Sequence, residues 1–122
     1  MTRINCIPVE DLMDQHLLAE YREITRVSKL ARDLTDYGKY TMGTGHVKFF
    51  YNKGEYLAKR AEQLYDECLY RGFNVQYKEY IPHPEGLNND WLPDSNDIEV
   101  NLNRINEKLK ARPDFYRNRR TR

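Results

Sequence analysis

The sequence predicts an all-α fold: a single compact domain of three main helices, joined by long ordered connectors and preceded by an amino-terminal arm. Two observations predict it. Apolar residues recur at three- and four-residue spacing in three separate stretches, and the one strand-like run has no partner to satisfy its backbone. A chain of 122 residues buries one modest core, so residues 1–122 are read as one domain. With a mean hydropathy of −0.92 and no apolar run of membrane-spanning or secretory length, the chain is expected to be soluble and cytoplasmic, with no membrane partner.

Pro8 blocks regular structure and leaves a short arm, Thr2 to Ile7, free to fold back beside the first helix. From Asp11 onward Met13, Leu17, Tyr21, Ile24, Val27 or Ala31, and Leu34 form an apolar stripe that predicts a helix ending between Asp36 and Gly38. Arg22, Glu23 and Arg26 fall with His16 on the other side. On spacing alone this is a solvated face carrying weak ion pairs.

The connector to Lys53 contains Val47-Lys48-Phe49-Phe50-Tyr51, whose aromatics are expected to plug the core between helices. Gly43-Thr44-Gly45-His46 lacks the Lys-Ser/Thr ending of a phosphate loop. It reads as a structural turn with His46 as a hydrogen-bonded anchor. A second helix over Glu55 to Tyr70 turns Leu57, Ala61, Leu64 and Cys68 inward, with Leu69 a flanking candidate, and stops at Gly72; Lys59 and Arg60 are expected to be solvated. Phe73 to Asp94 reads as an ordered loop pinned by Tyr77, Tyr80, Ile81, Trp91 and Leu92. Asp94 or Ser95 caps a third helix carrying Ile98, Leu102, Ile105 and Leu109, and Pro113 ends it.

The net charge of +1 says little, but its distribution is uneven. Five arginines and one aspartate give Arg112 to Arg122 a charge of +4, and fifteen basic against eighteen acidic residues leave −3 elsewhere. Such a basic, ring-containing end suits phosphate contact with an aromatic that stacks or wedges, and equally suits a solubilising tail. Cys6 and Cys68 lack zinc spacing and are expected to be buried thiols. Asp90, Asp94, Asp97 and Glu99 read as loop polarity and helix-start charge, so neither a metal nor another cofactor is expected.

Several blocks resemble the phage-type pyrimidine dimer DNA glycosylases with lyase activity. They are T-R-I-N at Thr2 to Asn5, D-Q-H-L-x-A-E-Y-R-E at Asp14 to Glu23, Arg26, G-T-G-H-V-K-F-F-Y-N-K at Gly43 to Lys53, C-L-Y-R-G-F-N at Cys68 to Asn74, Y-I-P-H at Tyr80 to His83, and A-R-P-D-F-Y at Ala111 to Tyr116. They run in the family's order from end to end. The connector after the first helix is shorter than the family's, and the last segment is richer in arginine than in aromatics. The family's fold is all-α, in agreement with the reading above.

The resemblance implies repair of damaged double-stranded DNA by a monomer, without a cofactor. The nucleophile would be the amine of Thr2, exposed once the initiator methionine is removed, with Glu23 as its partner. A terminal amine with a pKa near 7.7–8.0 is roughly a third unprotonated at pH 7.5, whereas a lysine near 10.4 is only about a thousandth unprotonated. The amine therefore attacks without a buried base to prepare it. Attack at C1′ expels the base and leaves a Schiff base, which acidifies the 2′ hydrogen and permits β-elimination. Glu23, flanked by Arg22 and Arg26, is expected to be a carboxylate that stabilises sugar cation character and moves the 2′ proton.

By the same resemblance Arg3, Gln15, His16, Tyr21, Arg22 and Arg26 are expected to contact DNA from the arm and first helix. Arg112, Phe115, Tyr116 and Arg117 are expected to do so from the tail. Phosphate contacts position a duplex without reading sequence, and a lesion that weakens stacking lowers the cost of bending and flipping. The flipped nucleotide implied is the base opposite the dimer. Two other readings stay open: a non-catalytic DNA-binding module, and a glycosylase/lyase for abasic sites or ring-opened purines.

Overall fold

The computed structural model of the chain describes residues 3–121. Four helices carry the architecture: α1 (Asp14–Ile24), α2 (Val27–Leu30), α3 (Gly54–Tyr70) and α4 (Ser95–Ala111), with single 3-10 turns at Val9–Asp11, Lys48–Phe50 and Arg119–Thr121. Among the described residues there is no strand, only an isolated bridge between Lys53 and Asn88. The fold is all-α, as the periodicity predicts.

α1 packs on α3 through Leu17, Tyr21 and Ile24 against Leu57, Ala61, Leu64 and Cys68, all buried. Both predicted thiols are thus interior, and burial pushes each up to about 11. Phe49 and Phe50 plug the core, edge-on to each other and to Trp91, while Tyr51 is half-buried at its margin.

Helix ends follow their residues. Gly54 opens α3 where an added Cβ would lie 2.1 Å from Asn88 Oδ1, so only glycine lets the loop approach. Gly72 adopts φ +83° and closes the same helix, with the Phe73 amide reaching back to the Cys68 carbonyl at 2.9 Å. Asp94 and Asp97 form a reciprocal capping box on α4, each side chain accepting the other's amide at 2.9 Å. Asp90 pairs with Lys59 at 2.9 Å, so three of the four clustered carboxylates are engaged locally.

The first helix is shorter than predicted. It ends at Ile24, α2 adds one turn, and the chain is extended from Ala31. Polar side chains take over the backbone. Ser28 Oγ donates to the Thr25 carbonyl, Leu34 N–H donates to the Tyr37 hydroxyl, and Asp36 accepts the Gly38 amide, each a local alternative to the helical ladder. The spacing to Leu34 is therefore coincidental, and that residue is only half-buried.

Five inward or outward assignments also differ. Leu69 lies outside, 48 % exposed. Leu102 is on the flank of α4, because the buried inward face is Asn101 with Ile105, flanked by half-buried Ile98 and Leu109. The Phe73–Asp94 loop is pinned by Tyr80, His83, Leu87 and half-buried Trp91, whereas Ile81 and Leu92 face solvent. Tyr80 donates to His83 Nε2 at 2.6 Å and His83 Nδ1 donates to the Tyr51 carbonyl at 2.8 Å, which fixes the loop through polar contacts. Arg60, expected in solvent, is one of the most buried residues in the chain.

Candidate active site and nucleic-acid interface

The arm lies inside the protein, so its backbone groups need partners from side chains. Ile4 is held at both ends of its backbone: its N–H donates to His46 Nε2 at 2.7 Å, and its carbonyl accepts from Tyr40 at 2.7 Å. His46 Nδ1 in turn donates to the Thr41 carbonyl at 2.6 Å, which fixes the neutral tautomer. Burial, with Arg3 and Arg104 nearby, lowers His46 to about 4. His46 is the anchor the sequence predicts.

Further along, Asn101 Oδ1 accepts the amides of Cys6 at 2.6 Å and Ile7 at 3.1 Å, while its Nδ2 donates to Asn5 Oδ1 at 2.7 Å. Asn5 Nδ2 donates to Glu20 Oε1 at 2.8 Å. Arg60 grips the same carboxylate through Nε at 2.9 Å and Nη2 at 3.2 Å, and donates to the Ile7 carbonyl at 2.6 Å. Burial works against the Arg60 charge, and Glu20 outweighs it, leaving the guanidinium above its ordinary value. A lone buried charge would be costly; this pair, with every neighbour donating or accepting, is the reason Arg60 is inside.

Glu23 lies one turn beyond Glu20 on α1. Its carboxylate is largely sheltered, 2.9 Å from Arg26 Nη1 and 3.8 Å from Arg22 Nε, and both arginine side chains are mostly exposed. Arg22 also borders a recess of about 300 Å³ with Leu18, Val75, Gln76 and Lys78. Tyr21 is at its base, buried, with its hydroxyl donating to the Gln76 carbonyl and accepting the Lys78 amide. That hydroxyl is committed to the fold. Thr2 lies outside the described residues, and Arg3 is half-buried.

The tail docks against the start of α1. Gln15 Nε2 donates to the Phe115 carbonyl at 2.8 Å, and its Oε1 accepts the Arg117 amide at 3.1 Å. His16 stacks on Tyr116 with ring centroids 4.7 Å apart. Phe115 meets Tyr116 edge-on and carries the Arg112 guanidinium 3.8 Å over its face. Four residues predicted near DNA from opposite ends of the chain, Gln15, His16, Phe115 and Tyr116, thus form one cluster, bordered by the exposed Arg112 and Arg117.

A family model for pyrimidine dimer DNA glycosylase matches residues 1–80. The chain belongs to this family. Membership supports DNA glycosylase activity of the pyrimidine-dimer type and DNA as the substrate. No helix among the described residues is long and apolar enough to cross a membrane. In this glycosylase the matched span holds the arm, α1 and α3, while α4 and the tail lie beyond it.

Two cations escaped the sequence reading. Arg104, half-buried on α4, exerts its positive field on Arg3, His16 and His46, and Lys108 one turn later acts on His16. Burial, then Arg104 and Lys108, lowers the His16 pKa and favours a neutral ring. Arg104 and Lys108 lie one turn apart on α4, and Arg112 follows at its C-cap, a four-residue basic spacing. That signal was present in the sequence, where α4 was read only for its apolar side.

Proposed function

We propose that this glycosylase excises damaged bases through the amine of Thr2 and then cleaves the strand as a lyase, with cyclobutane pyrimidine dimers in duplex DNA as its substrate. The observation that carries the reading is the tethered arm. Asn5 is fixed to Glu20 and lies three residue steps from Thr2, a stretch that spans at most about 10 Å. Glu23 is about 4.5 Å further along α1 by helical rise. The amine therefore has the reach to meet a carboxylate already sheltered beside two arginines.

In the proposed sequence the unprotonated amine adds to C1′ as the C1′–N bond to the base breaks, its electron pair leaving with the base. One proton passes from nitrogen to the ring oxygen O4′, and the O4′–C1′ bond opens to leave a 4′-hydroxyl and the protonated Schiff base. Glu23 takes the 2′ proton and the electrons move toward the iminium to give an enamine; they then return to form the C2′=C3′ bond as the bond from C3′ to its phosphate oxygen breaks and the phosphate leaves with that pair. Water then hydrolyses the imine and restores the amine. Arg3, Arg22, Arg26, Arg104 and Lys108 hold phosphates around the reacting sugar, and Arg112, Arg117, Phe115 and Tyr116 extend the surface.

Mass spectrometry of the purified protein, followed by borohydride trapping on a duplex with one cyclobutane thymine dimer, tests this. An adduct on an amino-terminal peptide that begins at Thr2 is expected. No adduct from a chain lacking Met1, on either a dimer or an abasic duplex, identifies a DNA-binding relative without the chemistry. Glu23→Gln is expected to keep binding and lose cleavage by about 10²-fold or more, the ordinary contribution of a positioned acid–base group. Cleavage by that variant at near wild-type rate removes Glu23 from the mechanism.

A further inference from the structure

The tail is held by a closed ring of charged contacts that the reaction does not use. Arg120 pairs with Glu67 in a two-pronged contact, Nε to Oε2 at 2.9 Å and Nη2 to Oε1 at 2.6 Å, with its guanidinium 4.1 Å over Tyr70. Glu67, at the end of α3, also accepts from Arg71 Nε at 2.8 Å. Arg71 reaches on to Asp14 Oδ1 at 3.0 Å, and the same oxygen accepts the Arg119 amide at 3.0 Å. The Asp14 amide donates to the Arg117 carbonyl.

We propose that Glu67 and Arg120 are a latch that sets the tail's register on α1, making both of them positioning residues for engagement of the duplex. The inference rests on the reading of Phe115 and Tyr116 as part of the DNA surface. Between the latch at Arg120 and the His16–Tyr116 stack there are only three residues, and Arg117 and Arg119 are themselves bonded to Asp14. No slack remains in that interval. A shift at Arg120 is therefore transmitted to Tyr116 and, through Gln15, to Phe115. Asp14 and Arg71 are buried and serve the fold as well, whereas the Arg120 side chain is 35 % exposed and makes the tail's ion pair to Glu67, beside the Arg119 guanidinium, which donates to the Arg71 carbonyl at 3.3 Å and lies 4.0 Å over Phe73.

The competing role for Arg120 is direct phosphate contact, as its charge and place in a basic tail suggest. The geometry argues against it: both prongs face Glu67 and one face of the guanidinium is covered by the Tyr70 ring. The two roles also differ in sign. Glu67→Gln makes the protein more positive, so simple attraction to a polyanion predicts tighter binding. A latch predicts weaker binding.

The test uses the full-length protein with Glu67→Gln, Arg120→Ala and the double variant on a duplex carrying one cyclobutane thymine dimer. Each single variant is expected to raise KM about five- to tenfold with kcat within about twofold, and the double variant to be no worse than the weaker single, as groups acting through one contact are non-additive. The ring-current shift that Tyr116 imposes on the His16 ring protons is expected to vanish from the NMR spectrum in all three. Lys59→Ala, which removes a charge elsewhere, leaves that shift in place. Unchanged or lower KM in Glu67→Gln overturns the latch, as does loss of the His16 shift without a change in KM. Should Glu67→Gln fail to fold because Arg71 loses its partner, Arg120→Ala with retained far-UV dichroism carries the same readouts. If the wild type cuts neither dimer nor abasic duplex, the glycosylase-lyase reading fails separately. Anisotropy of the labelled dimer duplex then decides the latch on binding alone.

Discussion

Two ion-pair networks hold the two ends of the chain, and they sit in different solvent. Around the arm, Arg60 and Glu20 have side chains 3 % and 1 % exposed and share their hydrogen bonds with Asn5 and Ile7. Around the tail, Arg71 and Glu67 are equally buried, but the network opens outward to Arg120. The arm is fixed from all sides, while the tail is fixed from one. Buried charge in the first case makes the position of Asn5 and Ile7 nearly a property of the fold, whereas the outer half of the second can be broken at small cost.

The largest effect expected is from breaking the arm network. Arg60→Ala leaves Glu20 buried and short of two donated bonds, and the Ile7 carbonyl short of one, and is expected to cost about 3–5 kcal/mol. For a domain of this size that lowers the melting temperature by roughly 10–20 °C in a calorimetric scan. A loss below about 1 kcal/mol would place Glu20 in water after all.

Acid gives the next largest effect and separates the two networks. His46 must stay neutral to accept the Ile4 amide, and its folded value of about 4 lies below the ordinary 6.5. Between those values the unfolded chain binds the proton and the native arm does not, so stability is complete above about 6.5 and lost as pH falls toward 4. The linkage amounts to about 3 kcal/mol. Urea melts across that window are expected to show the slope in the wild type and a flatter profile in His46→Gln. At the tail, hydrogen bonds from Arg120, against burial, and those from Arg71 hold Glu67 below the usual carboxylate range, so its contribution is lost only in more acid solution.

Arg120→Ala is expected to cost less than about 1 kcal/mol, because Glu67 keeps Arg71 and the lost partner is one-third exposed. Smallest of all is Lys59→Ala, adjacent to Arg60 in sequence but solvent-facing with Asp90 and Glu55, within about 0.5 kcal/mol. A chemical-denaturation series of the three arginine and lysine variants ranks them directly. Any inversion between Arg60 and Arg120 would erase the distinction between the two networks.

Much of the fold was legible. The α3 face, its stop at Gly72, the cap at Asp94 and the aromatic plug all follow from spacing and residue type. Arg60 was not, because a helical pattern assigns each residue by its own polarity, and the partner that draws it inside lies forty positions earlier at Glu20. The early end of α1 was hidden for a related reason: the apolar spacing runs on to Leu34, and it is side-chain competition at Ser28 and Asp36 that breaks the ladder. In the candidate site, Glu23 with Arg22 and Arg26 was visible as a charged helix face. The pairing of Gln15 and His16 with the tail was not, since no local pattern tells a chain where its far end will dock.

The carboxamide of Asn101 joins the earliest and latest thirds of the chain. The arm is synthesised before α4, yet two of its amides find their acceptor only when α4 has been made and has docked. Until then the arm has the partners that precede α4, among them His46, Tyr40, Glu20 and Arg60, and the Cys6 and Ile7 amides lack their acceptor. A chain cut short before α4 would lack two of the bonds that seat its arm.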